Sequence, residues 1–138
     1  MRYLVDTNIL SEQTKRVPDA GVIRRWELDS IFSCTSATVW HELWYGIHLM
    51  TEGRRKQVLS ASMQALRESE FTVMPFCRDA AEWLAEEAVR LQRRGITPTK
   101  YDSEIAAVAI VNHLTVVTRN VDDFKIYDGL RVENWFES

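Results

Sequence analysis

Residues 2–10 read RYLVDTNIL, and the parsing of this stretch decides the fold. Tyr3, Leu4 and Val5 are strand formers suited to a short buried strand. Asp6, Thr7 and Asn8 then stop that strand within one residue. They serve equally as turn and cap chemistry that starts a helix or as one corner of a charged site. The stretch alone leaves both readings open.

The same strand-then-helix alternation recurs along the 138 residues. Arg2–Val5 is the first predicted strand. Asp19–Asp29 is predicted helical, with Pro18 near its start. Ile31–Thr35 is a second β-rich run, after which Ser36 caps a helix reaching about Met50. A polar helix from Arg54 to Glu68 leads to an apolar run at Phe71–Met74. Asp79–Arg94 carries Trp83, Leu84, Ala88 and Leu91 at helical spacing, and Gly95 ends it. ITPTKYDSEIAAVAIVNHL gives a loop and an apolar helix. Leu114–Thr118 and Leu130–Val132 are the last strands. Connections long enough for crossovers predict a three-layer α/β/α fold, with a mainly parallel central sheet flanked by helices. One domain over residues 1–138 is expected from the length.

Cys34 and Cys77 lie far apart in apolar surroundings and read as buried free thiols in a reducing compartment. No apolar run approaches the roughly 18 residues of a membrane span, and Asp6 interrupts any signal-peptide reading. A cytoplasmic location and no membrane partner are the expectation. The net charge of −3 argues weakly against a nucleic-acid partner. The basic clusters Arg24-Arg25, Arg54-Arg55-Lys56 and Arg90–Arg94 read first as solvated helix faces.

In parallel α/β folds, ligands gather beyond the carboxyl ends of the strands, and acids collect there in this chain. The first strand delivers Asp6. The second runs into the helix carrying Glu42, and Asp102 sits in the first turn of the helix before Leu114–Thr118. That strand ends in TRNVDDF, which supplies Asn120, Asp122 and Asp123. Each has a plain reading as a cap or loop acid, and Asp102 follows Thr99 at capping-box spacing. Glu42 resists that reading. It stands in an apolar helix, SATVWHELWYGIHLM, beside Trp40, Leu43 and Trp44, where a carboxylate needs a partner or a cation. Thr38 and Gly46, one turn to either side, leave space above it. Carboxylates gathered from separate segments repel unless a cation neutralises them. Oxygen ligands without a His or Cys cluster suit Mg2+ or Mn2+, the ions of metal-assisted phosphodiester cleavage.

Other signals fail. HELWYGIH spaces His41 and His48 seven residues apart rather than four, so it is not the zinc-protease motif; both histidines read as core or supporting residues. Neither a Gly-rich phosphate loop nor a G-x-S-x-G elbow occurs.

LVDTNILS, SATVWHELWYGI, DSEIAAVAI and VVTRNVDDF, in that order, resemble a PIN-domain ribonuclease, and in particular the VapC/FitB-type toxins of type II toxin–antitoxin pairs. The resemblance spans nearly the whole chain. It implies a metal-dependent endoribonuclease with Asp6, Glu42, Asp102 and Asp123 as catalytic, metal-binding acids for Mg2+ or Mn2+. Thr7, Asn8, Asn120 and Arg119 would support them, and Lys100 and Arg119 would contact phosphate. Many relatives carry an acid where this chain has Asn120; Asp123 is favoured over Asp122 to complete the site. The resemblance further implies an RNA substrate, a homodimer and a cognate antitoxin, in a hetero-oligomer with the toxin, its surface the helices from Arg54 to Arg94. Two rival readings stand beside it. One is a catalytically inert PIN-like binding module, kept alive by Asn120. The other is a haloacid-dehalogenase-like phosphatase, disfavoured because Asn8 stands where that family has a second Asp.

Overall fold

The computed structural model describes all 138 residues. Its strands are short: β1 Tyr3–Val5, β2 Ser33–Ser36, β3 Val73–Met74, β4 Thr115–Val117 and β5 Val132–Glu133. Seven α-helices separate them: α1 Thr7–Glu12, α2 Ala20–Asp29, α3 Ala37–Leu49, α4 Arg54–Glu68, α5 Arg78–Arg93, α6 Lys100–Val111 and α7 Val121–Phe124. All strand pairs are parallel, in the order β3-β2-β1-β4-β5. This is the expected parallel sheet flanked by helices. No helix is long and apolar enough to cross a membrane.

The caps show why the helices begin where they do. Asp6 Oδ1 accepts the Thr7 N–H at 2.8 Å, so the strand-ending acid is also the cap of α1. Asp19 Oδ1 accepts the Gly21 and Val22 N–H groups, Ser36 Oγ that of Val39, and Thr99 Oγ1 that of Asp102. Each satisfies an orphan donor of the first turn. Gly95, at φ +77°, closes α5 in a left-handed conformation.

A single cluster of 25 buried apolar residues joins the sheet to its helices. Ile105 to Ala109 are all fully buried. Thus α6 is enclosed around its circumference, as an apolar helix must be. It packs on α5, α3 and β4. On α2, Arg25 lies over the Tyr3 and Trp135 rings, which meet edge-on at 5.3 Å.

Three expectations need correction. Ile31 and Phe32, predicted as strand, form a 3-10 turn and are 76% and 40% exposed. The strand begins only at Ser33, whose hydroxyl donates to the Asp29 carbonyl and ties the turn to α2. Cys34 is buried but Cys77 is exposed, because it stands ahead of α5 rather than inside it. His41 and His48 are exposed rather than core, on the outer side of α3.

Gly21 is where α2 meets the chain after β5. A Cβ there would collide with the Trp135 carbonyl oxygen and approach Glu137 Cγ to 2.6 Å. Gly21→Ala is expected to cost about 1–3 kcal/mol through overpacking, read as a lowered urea midpoint in equilibrium unfolding.

Candidate active site

The strand order places β1 at the centre, with its chain neighbour β2 on one side and β4 on the other. Crossovers that leave in opposite directions open a crevice at the carboxyl ends of the strands. Asp6 lies there, 5% exposed. Its backbone N–H donates to the Val117 carbonyl at 2.9 Å. Its Oδ2 accepts the Thr118 hydroxyl at 2.8 Å and lies 3.5 Å from Asn8 Nδ2. Asn8 is clamped in turn. Its Nδ2 donates to Thr118 Oγ1, and its Oδ1 accepts the Arg119 N–H. The Asn120 N–H also reaches Thr118 Oγ1, at 3.0 Å. The buried Thr118 is therefore the hub that fixes Asp6, Asn8 and Asn120 together. The only local sign of this role in the sequence is a small hydroxyl residue directly after a buried strand.

Burial pushes the Asp6 carboxyl above its ordinary range; hydrogen bonds from Thr7 and Thr118 oppose this, and the charge of Asp123 adds to it. Burial, followed by the charges of Asp6 and Asp102, pushes Glu42 up to about 7. Asp102 is raised by burial and then by Asp6 and Asp123, against a hydrogen bond with Thr99. Asp6, Glu42 and Asp102 are thus raised in a shared space that the charge of Asp123 also reaches, although the four come from separate segments. None of them belongs to an ion pair. No three His, Cys, Asp or Glu side chains converge into a ready-made cage for a metal ion.

Buried acids elsewhere behave in the opposite way. Burial raises Glu12, but Lys15 and the Asp19 N–H outweigh it and the carboxyl is lowered. Glu87 is lowered by its two hydrogen bonds from Arg90, with a further one from the Asp128 N–H. The fold pairs its structural acids and leaves the crevice acids unpaired. That contrast marks them as functional candidates.

The remaining predicted residues separate by geometry. The Asp122 side chain is 99% exposed and lies 3.9 Å from Lys125. Asp123, one residue on, is the acid whose charge reaches Asp6 and Asp102. The Arg119 guanidinium lies 4.5 Å from the Phe136 ring and donates to the Ser138 carbonyl, so Arg119 meets Asn8 through its backbone alone. Lys100 is exposed beside Tyr101 and forms no ion pair. Thr38 donates to Glu104 at 3.1 Å. That bond ties α3 to α6 near Glu42 and Asp102, a contact that no local sequence pattern signals.

Residues 3–130 match the sequence pattern of the PIN domain. This chain belongs to the PIN-domain family. The match bears out the resemblance carried by its four motifs. Toxin FitB of Neisseria gonorrhoeae is 30% identical over 139 residues, which cover 97% of this chain and 99% of that protein. The tRNA(fMet)-specific endonuclease VapC of Salmonella typhimurium is 27% identical, with 98% of both chains covered. The crystal structure of FitAcB from Neisseria gonorrhoeae superposes with a TM-score of 0.82 at 30% identity, covering 96% of each chain. The PIN fold is therefore present over essentially the whole of this chain.

Two outcomes follow from the electrostatics of this PIN domain. Glu42 holds its proton more tightly folded than unfolded. Its contribution to stability is full below pH 4.5 and is lost as the pH rises towards 7. In metal-free buffer, the urea midpoint of the wild type should fall across that window more steeply than that of Glu42→Gln. Thr118→Val removes the hub hydroxyl and should destabilise by about 1–3 kcal/mol. It should also drive Asp6 further up, as read by carboxyl carbon NMR titration.

Proposed function

We propose that this chain is a divalent-metal-dependent endoribonuclease and the toxin half of a toxin–antitoxin pair, acting in the cytoplasm as one domain. The observation that carries the reading is the set of crevice acids, with Glu42 and Asp102 raised by neighbouring carboxylates, Asp6 raised by burial and by the charge of Asp123, and no ion pair to any of the four. Such a set calls for a cation from solution. Oxygen donors without His or Cys fit a hard ion, Mg2+ or Mn2+. The absence of a closed cage fits as well, since Mg2+ keeps several waters and takes only one or two carboxylates directly. The names of the relatives, an endonuclease and a toxin, point to the same chemistry.

Asp6 and Asp102 would hold the ion in this reading. When bound, it polarises the scissile phosphate and acidifies the attacking water. Thr118 and Asn8 keep the Asp6 carboxylate oriented. Glu42 takes the proton from the attacking water, a task suited to a carboxylate whose affinity for protons has been lifted towards neutrality. Asp123 would orient that water or hold a second ion, and Asn120 would supply a neutral ligand. Lys100, free of partners, contacts the phosphate chain. A homodimer and an antitoxin seated on α4 and α5 complete the assembly, as the resemblance to VapC and FitB implies. Membership of the PIN family leaves the phosphatase reading without support.

Asp6→Asn and Asp102→Asn should each lower RNA cleavage in Mg2+ by roughly 100-fold or more, while far-UV circular dichroism stays at the wild-type level. Calorimetric titration with Mn2+ separates the enzyme from an inert PIN-like module. An enzyme binds the ion and loses activity to chelator; full cleavage by folded Asp6→Asn would sink the metal-site assignment.

A further inference from the structure

One cavity of this molecule is lined almost entirely by positive charge. It encloses about 820 Å³ between the turn after α1 and the start of α4, and its walls are Thr14, Lys15, Arg16, Arg54, Arg55 and Val58. No acid lines it, and none of these residues belongs to the acidic crevice. Arg55 Nη1 donates to the Thr14 carbonyl at 2.9 Å and to the Thr14 hydroxyl at 2.7 Å. Those bonds join the two walls and hold the half-buried guanidinium in place. Both acceptors are neutral, so the charge of Arg55 is fixed but not cancelled. Lys15 has Glu12 at 2.8 Å, and the neighbouring Lys56 has Glu52 at 2.6 Å. Arg16, Arg54 and Arg55 form no ion pair.

A run of basic residues is more often a solvated helix face than a site, and this one departs from that pattern. The first turn of α4 carries Arg54, Arg55 and Lys56 with no acid, although the helix dipole favours acids at that end. Helix stability therefore does not account for them. Cations from two segments line one space, where a concave wall of a single sign concentrates the field. Elsewhere in the chain Arg24, Arg25 and Arg90 each sit on a carboxylate, as arginines do when they hold a fold together. The lining also selects the ligand. Guanidiniums present planar forks of donors that match phosphate oxygens, and three of them offer more donors than one carboxylate can accept. Val58 is the one apolar side chain of the lining and no ring is among them, so a base has nothing to stack on. Recognition is of charge alone, and a volume in the upper part of the range for ligand sites has room for more than one phosphate.

We propose that this cavity binds closely spaced phosphate groups, held by Arg16, Arg54 and Arg55 without regard to any base attached to them. Free polyphosphate anions and the backbone of a nucleic-acid strand share that chemistry. The site is separate from the crevice and independent of the ribonuclease reading, since it binds by charge, without a metal and with no bond broken. Arg55, pinned to Thr14, is its preformed part. Arg16 and Arg54, both exposed, meet the anion from the two walls.

The test is calorimetric titration of the full chain with sodium tripolyphosphate in a buffer containing EDTA, which keeps metal out of the crevice. Saturable binding is expected. Arg16→Gln and Arg54→Gln should each weaken it roughly 10-fold or more, and the double variant should abolish it with far-UV circular dichroism unchanged. Arg54→Lys should recover only part of the affinity, because an ammonium keeps the charge and loses the fork. Arg93→Gln combined with Arg94→Gln removes the same charge from α5 and should bind as the wild type does. ATP should bind no more tightly than tripolyphosphate. A fluorescein-labelled RNA strand, followed by anisotropy in the same buffer, identifies the source. Affinity that falls in the Arg16→Gln, Arg54→Gln double variant and is competed by tripolyphosphate assigns the site to a nucleic-acid backbone; unchanged RNA affinity assigns it to a free anion. Absence of saturable heat in the wild type overturns the proposal, as does undiminished binding by the folded double variant. Equal loss in the α5 variant also overturns it, by reducing the effect to net charge. So does binding of poly-glutamate without binding of tripolyphosphate, which would make the cavity a contact for an acidic protein segment.

Discussion

The buried Asp6 carboxylate is the constraint about which the crevice is organised. An acid taken almost wholly out of water is costly unless it is hydrogen-bonded or neutralised. Here Thr7 and Thr118 supply hydrogen bonds, and no cationic side chain supplies charge. The Thr7 donor is its backbone N–H, whereas the Thr118 hydroxyl comes from the residue directly after β4, so the position of Asp6 is also the registration of β1 against β4. Sheet and site are one structure at this point. A change that loosens either one loosens the other.

The charge pattern separates scaffolding from chemistry. Glu12 and Glu87 are as buried as many core residues, yet each is matched by a basic side chain and a backbone donor, and both stay ionised readily. Asp6, Glu42 and Asp102 are brought together against their mutual repulsion. Evenly distributed selection for stability would place an arginine among them, as it has placed Arg90 beside Glu87. The local conflict among these acids is the feature on which the proposal of a bound cation rests.

Much of this was legible in the sequence because the signals were local. Alternating strand and helix patterns, Ser36 and Thr99 as caps, and Gly95 as a helix stop all rest on interactions within a few residues. The acids were legible because the strand-end rule selects positions rather than residue types. What escaped depended on distance. The role of Thr118 requires knowing that β4 lies beside β1, and the Thr38–Glu104 bond requires the packing of α3 on α6. The orientation of Arg119 escaped for the same reason, since Phe136 competes for its guanidinium. Ile31 and Phe32 misled because β-branched and aromatic residues suit a strand by propensity, while the Ser33–Asp29 hydrogen bond and the start of the ladder set the boundary elsewhere. Asp122 and Asp123 are both exposed and could be ranked only once the charge of Asp123 was seen to reach Asp6 and Asp102.

The parallel order β3-β2-β1-β4-β5 also has a consequence in time. Parallel strands are joined only through long crossovers, and β1 waits for β4 across 112 residues between Asp6 and Thr118. Contacts of that sequence separation form late and slowly. During synthesis, the first strand is therefore made long before the partner that orients its acid, and Glu42 and Asp102 emerge one after the other in between. A nascent chain still lacking β4 has its acids scattered in solvent and holds no assembled crevice. The crevice is thus assembled only after most of the chain has been made.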